Sequence, residues 1–245
     1  MSSFTAYDAI GDRFEVFTDT ASQRSVETET FFHMVGDVKG KSVLDLACGY
    51  GYFGRELYRQ GASRVVGVDI SPSMIELARK ESARNNEAIE FHVANVCEMP
   101  VMGQFERVTA AWLFNYAQSP AELEAMFYAV AQNLQPGGKL IAYTVDPSFR
   151  LEDGNFTKYG VHVKSENPHE GGFRCSSEFV TTPPSEFTFY RWSHEDYERA
   201  IRKAGFSDYH WQRPLISKTN RQKFPEGYWG DFERNCLQTG LVCTL

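Results

Sequence analysis

The stretch DLACGYGYFGRELYRQGASRVVGVD, Asp45 to Asp69, decides how the chain is read. It sets glycines at 49, 51 and 54, a literal G-x-G-x-x-G, with an acid about twenty residues beyond. By its letters this is a dinucleotide fingerprint, in which backbone N–H groups at a helix start hold a pyrophosphate. Asp45 argues against that ligand. It closes the first apolar run, and a pyrophosphate beside a half-buried carboxylate meets like charge at a cost of several kcal/mol. A ligand bringing positive charge reverses the sign. Asp69 is placed to accept both ribose hydroxyls, which suits adenosine in either kind of ligand.

Outward from this stretch, strands and helices alternate. Ser42–Leu46 reads as a strand, Tyr52–Gln60 as a helix stopped by Gly61, and Arg64–Val68 as a second strand. A helix follows, with Ser71 as cap, Pro72 in its first turn and Met74, Ile75, Leu77 and Ala78 on one side. Ile89–Val93 and Phe105–Trp112 are further strands, a helix starts near Ser119, and PGGKLIAYTV turns into a fifth strand. Apolar strands separated by helices indicate a parallel sheet covered on both faces. Ligands of such sheets bind outside the carboxyl ends of the strands, where the Gly49 loop lies.

The flanks are different. Residues 1–37 read as a helical cap in which Val26, Phe31 and Val35 turn inward and Arg24, Glu27 and Glu29 face solvent. Residues 147–191 are rich in glycine, proline and aromatics, and SSEFVTT and EFTFYRW have the period of antiparallel strands. This segment reads as an insertion over the carboxyl edge of the sheet. SHEDYERAIRKAGF is a helix capped by Ser193 and stopped at Gly205, and DYHWQRP and LQTGLVCTL are closing strands, with a loop or short helix around Phe224–Asn235. All 245 residues are expected to form one domain.

Composition narrows the function. The formal charge is -7 and there is no Lys/Arg block, so nucleic acid and anionic membranes are not expected partners. No window suits a membrane span, and the N-terminus lacks a secretory pattern, so a cytoplasmic protein is expected. The five cysteines, 48, 97, 175, 236 and 243, include no C-x-x-C pair and read as free thiols. The six histidines show no zinc spacing, and no metal is expected.

VLDLACGYG, VVGVDISPSMIELAR and LQPGGKL, taken in order, resemble the signature motifs of the class I S-adenosylmethionine-dependent methyltransferases, over roughly residues 40–145. The resemblance implies an α/β, Rossmann-like sheet of seven strands, mostly parallel with the last antiparallel. It implies S-adenosylmethionine as methyl donor and S-adenosylhomocysteine as product. Asp45, Ala47 and Gly49 would then line the methionine part, and Gly51 would let the backbone come close. Asp69 would bind the ribose, and Ile70 and Met74 would flank the adenine. Asn95 stands where many members carry an acid for the adenine amino group, and the Val96 N–H would reach the ring. Tyr7 and Arg24 match a tyrosine that folds over the donor and a basic residue that pairs with its carboxylate. Trp112 completes the donor set.

The residues after the fourth strand, AWLFNYAQSP, face the methyl acceptor. They lack the prolines of DNA-base N-methylation and the carboxylates of metal-assisted catechol methylation. A small molecule remains, bound by Tyr7, Trp112, Asn115 and Tyr116, with Phe179 and Tyr190 of the insertion, which would act as a substrate lid. Phe156, Tyr159, Phe173 and Phe189 would build the lid's own core or touch the ring. Tyr7, Trp112 and Tyr116 are orienting candidates. If a base is used, Tyr7, Tyr116, His162 and Tyr190 are candidates. From FTAYDAIGDRF through WLFNYA the chain is similar to those family members that methylate ring nitrogens of an azapteridine on the way to toxoflavin. The alternatives are O-methylation of a phenol or hydroxy acid, a nicotinamide-dependent oxidoreductase and a nucleotide sensor. A monomer or weak homodimer is expected.

Overall fold

A computed structural model describes residues 21–245; Tyr7 and the rest of residues 1–20 lie outside the described residues. Helix α1 (Ser22–Val35) precedes β1 (Ser42–Leu46), α2 (Tyr52–Arg59), β2 (Arg64–Asp69), α3 (Pro72–Arg84), β3 (Glu90–Val93) and β4 (Phe105–Ala111). Then come α4 (Pro120–Gln132), β5 (Leu134–Val145), β6 (Val161–His169), β7 (Gly172–Phe179) and β8 (Ser185–Arg191). The chain closes with α5 (His194–Ala204), β9 (Asp208–Gln212), α6 (Lys218–Gln222), α7 (Gly230–Arg234) and β10 (Gln238–Thr244).

Seven strands form one sheet in the order β3-β2-β1-β4-β5-β10-β9. β1 to β5 pair in parallel, and β10 runs antiparallel to both of its neighbours. This is the mostly parallel, Rossmann-like sheet, with its last strand reversed. The strand order turns outward from β1 to β2 on one side and to β4 on the other. That switch point lies at the carboxyl ends of β1 and β4, and it is where such sheets hold ligands.

Local sequence explains the helix starts. The Ser71 and Ser119 hydroxyls accept N–H groups three residues on, from Met74 and Glu122, and each is followed by proline. Ser193 and Asp196 form a reciprocal capping box at α5, and Gly205 ends that helix in the left-handed region. One face of the sheet packs Leu44, Val66, Val108 and Leu140 under Phe127, Tyr197 and Ile201 of α4 and α5. The opposite face packs Val43, Val65, Ile141 and Tyr143 against Phe31 of α1 and Phe53 and Leu57 of α2. Phe91 of β3 is covered there by Ile75 and Ala78 of α3.

β6, β7 and β8 form a separate antiparallel sheet. β6 and β7 are joined by a two-residue turn, Glu170–Gly171, with both residues at positive φ, as the twist of a tight hairpin requires. This sheet shares a core with Val145 at the carboxyl end of β5, with Val26 of α1 and with Trp229 and Phe232. The insertion therefore stands at the carboxyl edge of the large sheet. Most of its aromatics serve this core: Phe156, Tyr159 and Phe189 are buried, and Tyr159 stacks on Trp229 at 5.6 Å.

The structure departs from the sequence reading in two places here. Glu27 does not face solvent; it is 4% exposed, between Arg24 and Trp112. β6 also has no counterpart in the sequence reading, since KSENPH is polar and carries a proline. Among the described residues, the cysteines are free and no cluster of three His, Cys, Asp or Glu could hold a metal. Among them, no helix is long and apolar enough to cross a membrane.

Candidate active site

β1 ends at Leu46 and the chain turns through Ala47, Gly49 and Gly51 at φ 52°, 54° and 79° before α2 begins. Left-handed residues at alternate positions fold the loop tightly against the strand end. The site costs about 1–3 kcal/mol for Ala47, which unlike glycine carries a Cβ. At Gly51 a Cβ would stand 3.1 Å from the Phe91 ring and 3.3 Å from Ala78, so a close approach also requires glycine there.

The loop's donors are turned toward the protein itself. Cys48 N–H bonds to Val68 O at 3.1 Å and Gly51 N–H to Cys48 O at 2.9 Å. Gly49 N–H donates to Asp69 Oδ2 at 2.8 Å. Asp69 Oδ1 accepts the N–H of Ser71 at 2.9 Å. Three of the N–H groups that a phosphate cradle would offer, those of Cys48, Gly49 and Gly51, are thus spent, and a carboxylate takes the one from Gly49. Each carboxylate oxygen accepts more than one hydrogen bond, so Asp69 retains capacity for hydroxyl donors in the cavity.

The cavity at this switch point holds about 200 Å³ of open space. That is several times the ≈ 30 Å³ that one water occupies in the liquid, so the space is on the scale of an organic ligand. Its wall includes Asp69 at the end of β2, Ile70, Ser71 and Met74 after it, and Asn95 and Val96 after β3. Asn95 Oδ1 also accepts the Cys97 N–H at 3.0 Å, which fixes the amide plane. The wall also includes Trp112, Leu113 and Tyr116, from the chain after β4, and Met126 of α4. Arg24, Ala47, Gly49 and Tyr52 line it too.

Arg24 reaches the cavity from α1. Its guanidinium lies 4.6 Å over the Tyr52 ring and 4.8 Å over Phe53, and it pairs with Glu27. Burial works against the Arg24 charge, and Glu27 with Tyr50 and Tyr52 more than offsets it, so the group stays firmly cationic. Burial pushes the Glu27 carboxyl up, opposed by Arg24 and Trp112. Burial also pushes the Cys48 thiol well above its usual range, with Asp69 and Asp45 adding to the effect. Cys48 is therefore no thiolate nucleophile.

Trp112 follows β4 in the left-handed region at φ 62°, a costly conformation for a bulky residue. It is held from three sides. Its N–H bonds to Tyr143 O at 2.7 Å, its ring meets Tyr143 edge-on at 5.6 Å, and its indole N–H donates to Glu27 Oε1 at 3.0 Å.

The structure brings together Arg24, Ala47, Gly49, Asp69, Ile70, Met74, Asn95, Val96, Trp112 and Tyr116 on one cavity. Other candidates sit elsewhere. Asp45 is 2% exposed beneath the loop, where its oxygens accept the Thr109 hydroxyl at 2.7 Å and the Gly54 N–H at 3.1 Å. Gly51 packs on Phe91 behind the wall. Asn115 is buried, and its Oδ1 has no hydrogen-bond partner. Phe179 stacks on Phe187 at 4.2 Å, and Tyr190 stacks on Trp192 at 6.2 Å; neither lines the cavity. His162 pairs with the Thr157 hydroxyl away from the cavity wall. Tyr7 lies outside the described residues. Sequence reasoning missed Tyr50 and Tyr52, although both stand inside the glycine stretch, and it missed Gln118 and Glu122, which polar loop composition hides.

Residues 43–138 match a family model described as a methyltransferase domain. The ribosomal protein L11 methyltransferase of Burkholderia ambifaria is 35% identical over 101 residues, 41% of this chain and 31% of that protein. The ubiquinone biosynthesis O-methyltransferase of Xanthomonas oryzae pv. oryzae is 30% identical over 112 residues, 45% of each. The chain thus spans only a third to a half of the length of these curated relatives. An S-adenosylmethionine dependent methyltransferase from Mesorhizobium loti superposes with a TM-score of 0.67 at 18% identity, covering 93% of this chain and all of that one. A complex described as DhpI-SAM-HEP gives 0.64 at 19% identity, over 98% and 94% of the two chains. Residues 43–138 therefore resemble a methyltransferase domain, and the chain has the fold of an S-adenosylmethionine dependent methyltransferase.

Proposed function

We propose that the chain transfers the methyl group of S-adenosylmethionine to a ring nitrogen of a small planar heteroaromatic, of the azapteridine type that the sequence resemblance suggests. The observation that carries the donor assignment is the Gly49–Asp69 bond. It consumes the donor a phosphate would need and leaves a carboxylate for ribose hydroxyls. A nicotinamide dinucleotide would place its pyrophosphate at the glycine turn, where the Gly49 N–H already serves Asp69.

The donor supplies an electrophilic methyl on a sulfonium, with a neutral thioether as leaving group. Arg24 is the one cationic side chain among the described residues of the wall, and it suits an α-carboxylate. Asp69 orients the ribose, and Ile70 and Met74 sandwich the adenine. Trp112 and Tyr116 offer a flat, water-poor wall that aligns a ring nitrogen in line with the methyl–sulfur bond. The nitrogen's lone pair forms the new bond as the sulfur takes the old pair, and an acidic ring N–H releases its proton to solvent. Alignment and exclusion of water supply the acceleration, so no dedicated base is assigned.

The similarity to an O-methyltransferase segment favours a second reading, transfer to a phenolic oxygen. The deciding experiment incubates purified protein with labelled donor and a panel of azapteridines, purines and phenols, read by mass spectrometry. Methylation of the azapteridines supports the first reading and methylation of phenols alone replaces it. Calorimetry with S-adenosylhomocysteine against NAD(H) tests the donor, and Asp69→Ala is expected to abolish binding of the former. Unchanged affinity overturns the site assignment.

A further inference from the structure

We propose that Glu27 is a positioning residue that ties the donor end of the cavity to its acceptor wall through a single carboxylate oxygen. The inference rests on the methyl-donor reading above and deepens it. Glu27 Oε1 accepts the indole N–H of Trp112 at 3.0 Å and also pairs with the Arg24 guanidinium. Arg24 and Trp112 both line the cavity, while Glu27 stands behind them, 4% exposed.

The chemistry of the neighbours explains why an acid is kept there. Arginine and the indole nitrogen are donors only, so the group between them must be an acceptor. An apolar residue would leave a buried guanidinium without its counter-charge and an indole N–H without a partner. Glu27 also restrains the polar tips of two side chains that border the cavity. Arg24 rests on the faces of Tyr52 and Phe53, which set its plane but leave it free to slide. Trp112 occupies a left-handed backbone conformation, and its indole tip is fixed by Glu27. One oxygen thus sets the cation that meets the donor's carboxylate and the ring that meets the acceptor.

The two functions separate by substitution. In Glu27→Gln the amide oxygen still accepts from Trp112, and the charge that holds Arg24 is lost. In Glu27→Ala both ties are lost. The test uses the full chain, the Trp112 indole N–H resonance assigned by its disappearance in Trp112→Phe, and calorimetry with S-adenosylhomocysteine. The Trp112 resonance is expected to move in Glu27→Ala and to return near its original position in Glu27→Gln. Affinity for S-adenosylhomocysteine is expected to fall about tenfold in both variants, the cost of ordering one long side chain on binding. A residue that only supports the fold would lower the melting temperature and leave the Glu27→Gln affinity unchanged. If wild-type protein binds and Glu27→Gln binds within twofold of it, the inference is overturned. The same follows if the Trp112 resonance is unmoved in Glu27→Ala. If wild-type protein does not bind S-adenosylhomocysteine, the donor reading itself falls, and the Trp112 resonance separately reports the tie.

Discussion

The carboxyl of Asp45 passes beneath the glycine loop and accepts the N–H of Gly54 at 3.1 Å. Its second oxygen accepts the Thr109 hydroxyl, from the residue directly beside it in the next strand. The third glycine of the apparent dinucleotide fingerprint therefore serves an acid of the protein. A Cβ at position 54 would stand 3.2 Å from Asp45 Oδ2, so glycine there allows α2 to sit on that carboxyl.

Asp45 makes stability depend on pH. Burial raises its pKa to about 7, although Thr109 and Gly54 pull the other way and Asp69 adds to the rise. A carboxyl whose folded pKa lies above its unfolded value holds its proton more tightly in the native state. Its contribution is greatest below the unfolded value of about 3.9 and is lost as pH rises to about 7. In Asp45→Asn the amide can donate to the Thr109 hydroxyl and accept from Gly54, and nothing titrates. Urea denaturation of both proteins at pH 5 and pH 8 measures the difference. The variant is expected to lose less stability across that interval than the wild type, and equal losses would refute the role of Asp45.

Asp69 is distinguished from Asp45 by where its oxygens point. It borders the cavity and fixes both Gly49 and Ser71. Asp69→Asn keeps the shape and removes the charge, and one nitrogen then faces a backbone donor. Hydrogen bonds to charged groups contribute about 1.5–3 kcal/mol. The expected loss of S-adenosylhomocysteine affinity is therefore about 10- to 100-fold by calorimetry. A change below threefold would contradict ribose binding by this acid.

Gly67 tests the packing under the loop. A Cβ there would stand 2.7 Å from the Phe91 ring and 3.0 Å from Cys48 Sγ. Phe91 is buried against Ile75 and Ala78 and has little room to yield. Gly67→Ala is expected to cost about 1–3 kcal/mol in denaturant unfolding. Gly137→Ala is the control, with positive φ and nothing within 4 Å. It is expected to show only the backbone cost of about 1 kcal/mol. Equal losses in the two variants would mean that Phe91 moves aside freely.

The large sheet was legible because its determinants are local. Apolar runs, Ser-Pro caps and glycine stops all lie within a few residues of what they specify, and β1 runs from Ser42 to Leu46 as read. That Asp69 and Gly49 border one cavity was legible for the same reason, since they lie on one β-α-β stretch. Trp112 and Tyr116 were placed on that cavity as well, but what stands behind them was not legible. Glu27 looked exposed because a helical wheel shows which residues share a face, and only the fold shows that Trp112 covers that face. Asp45 was read as a ligand because its sign of charge is visible in sequence while its direction is not. Its carboxyl turns toward Thr109, which is 64 residues away. Phe179 and Tyr190 have the composition of a binding wall, but Phe179 stacks on Phe187 within the small sheet and Tyr190 on Trp192 of the large sheet's core.

The small sheet is fastened by a buried ion pair, which gives the last prediction. Arg191 Nε donates to Glu166 Oε1 at 2.9 Å, and the guanidinium lies 4.3 Å over the Phe173 ring. Arg191 Nη1 donates to Pro147 O and Glu166 Oε2 accepts the Leu151 N–H, so the pair binds β6 and β8 to the segment that leaves β5. Arg191 is 4% exposed and Glu166 12% in their side chains. Arg191→Met keeps the apolar stem and leaves a largely buried carboxylate without its counter-charge, at an expected cost of about 3 kcal/mol. Adding Glu166→Gln removes that charge while keeping an acceptor for Leu151, and is expected to recover more than half of the loss. Denaturant unfolding of the single and double variants measures it. If the double variant is no more stable than Arg191→Met, the cost lies in the lost packing on Phe173 and the charge contributes little.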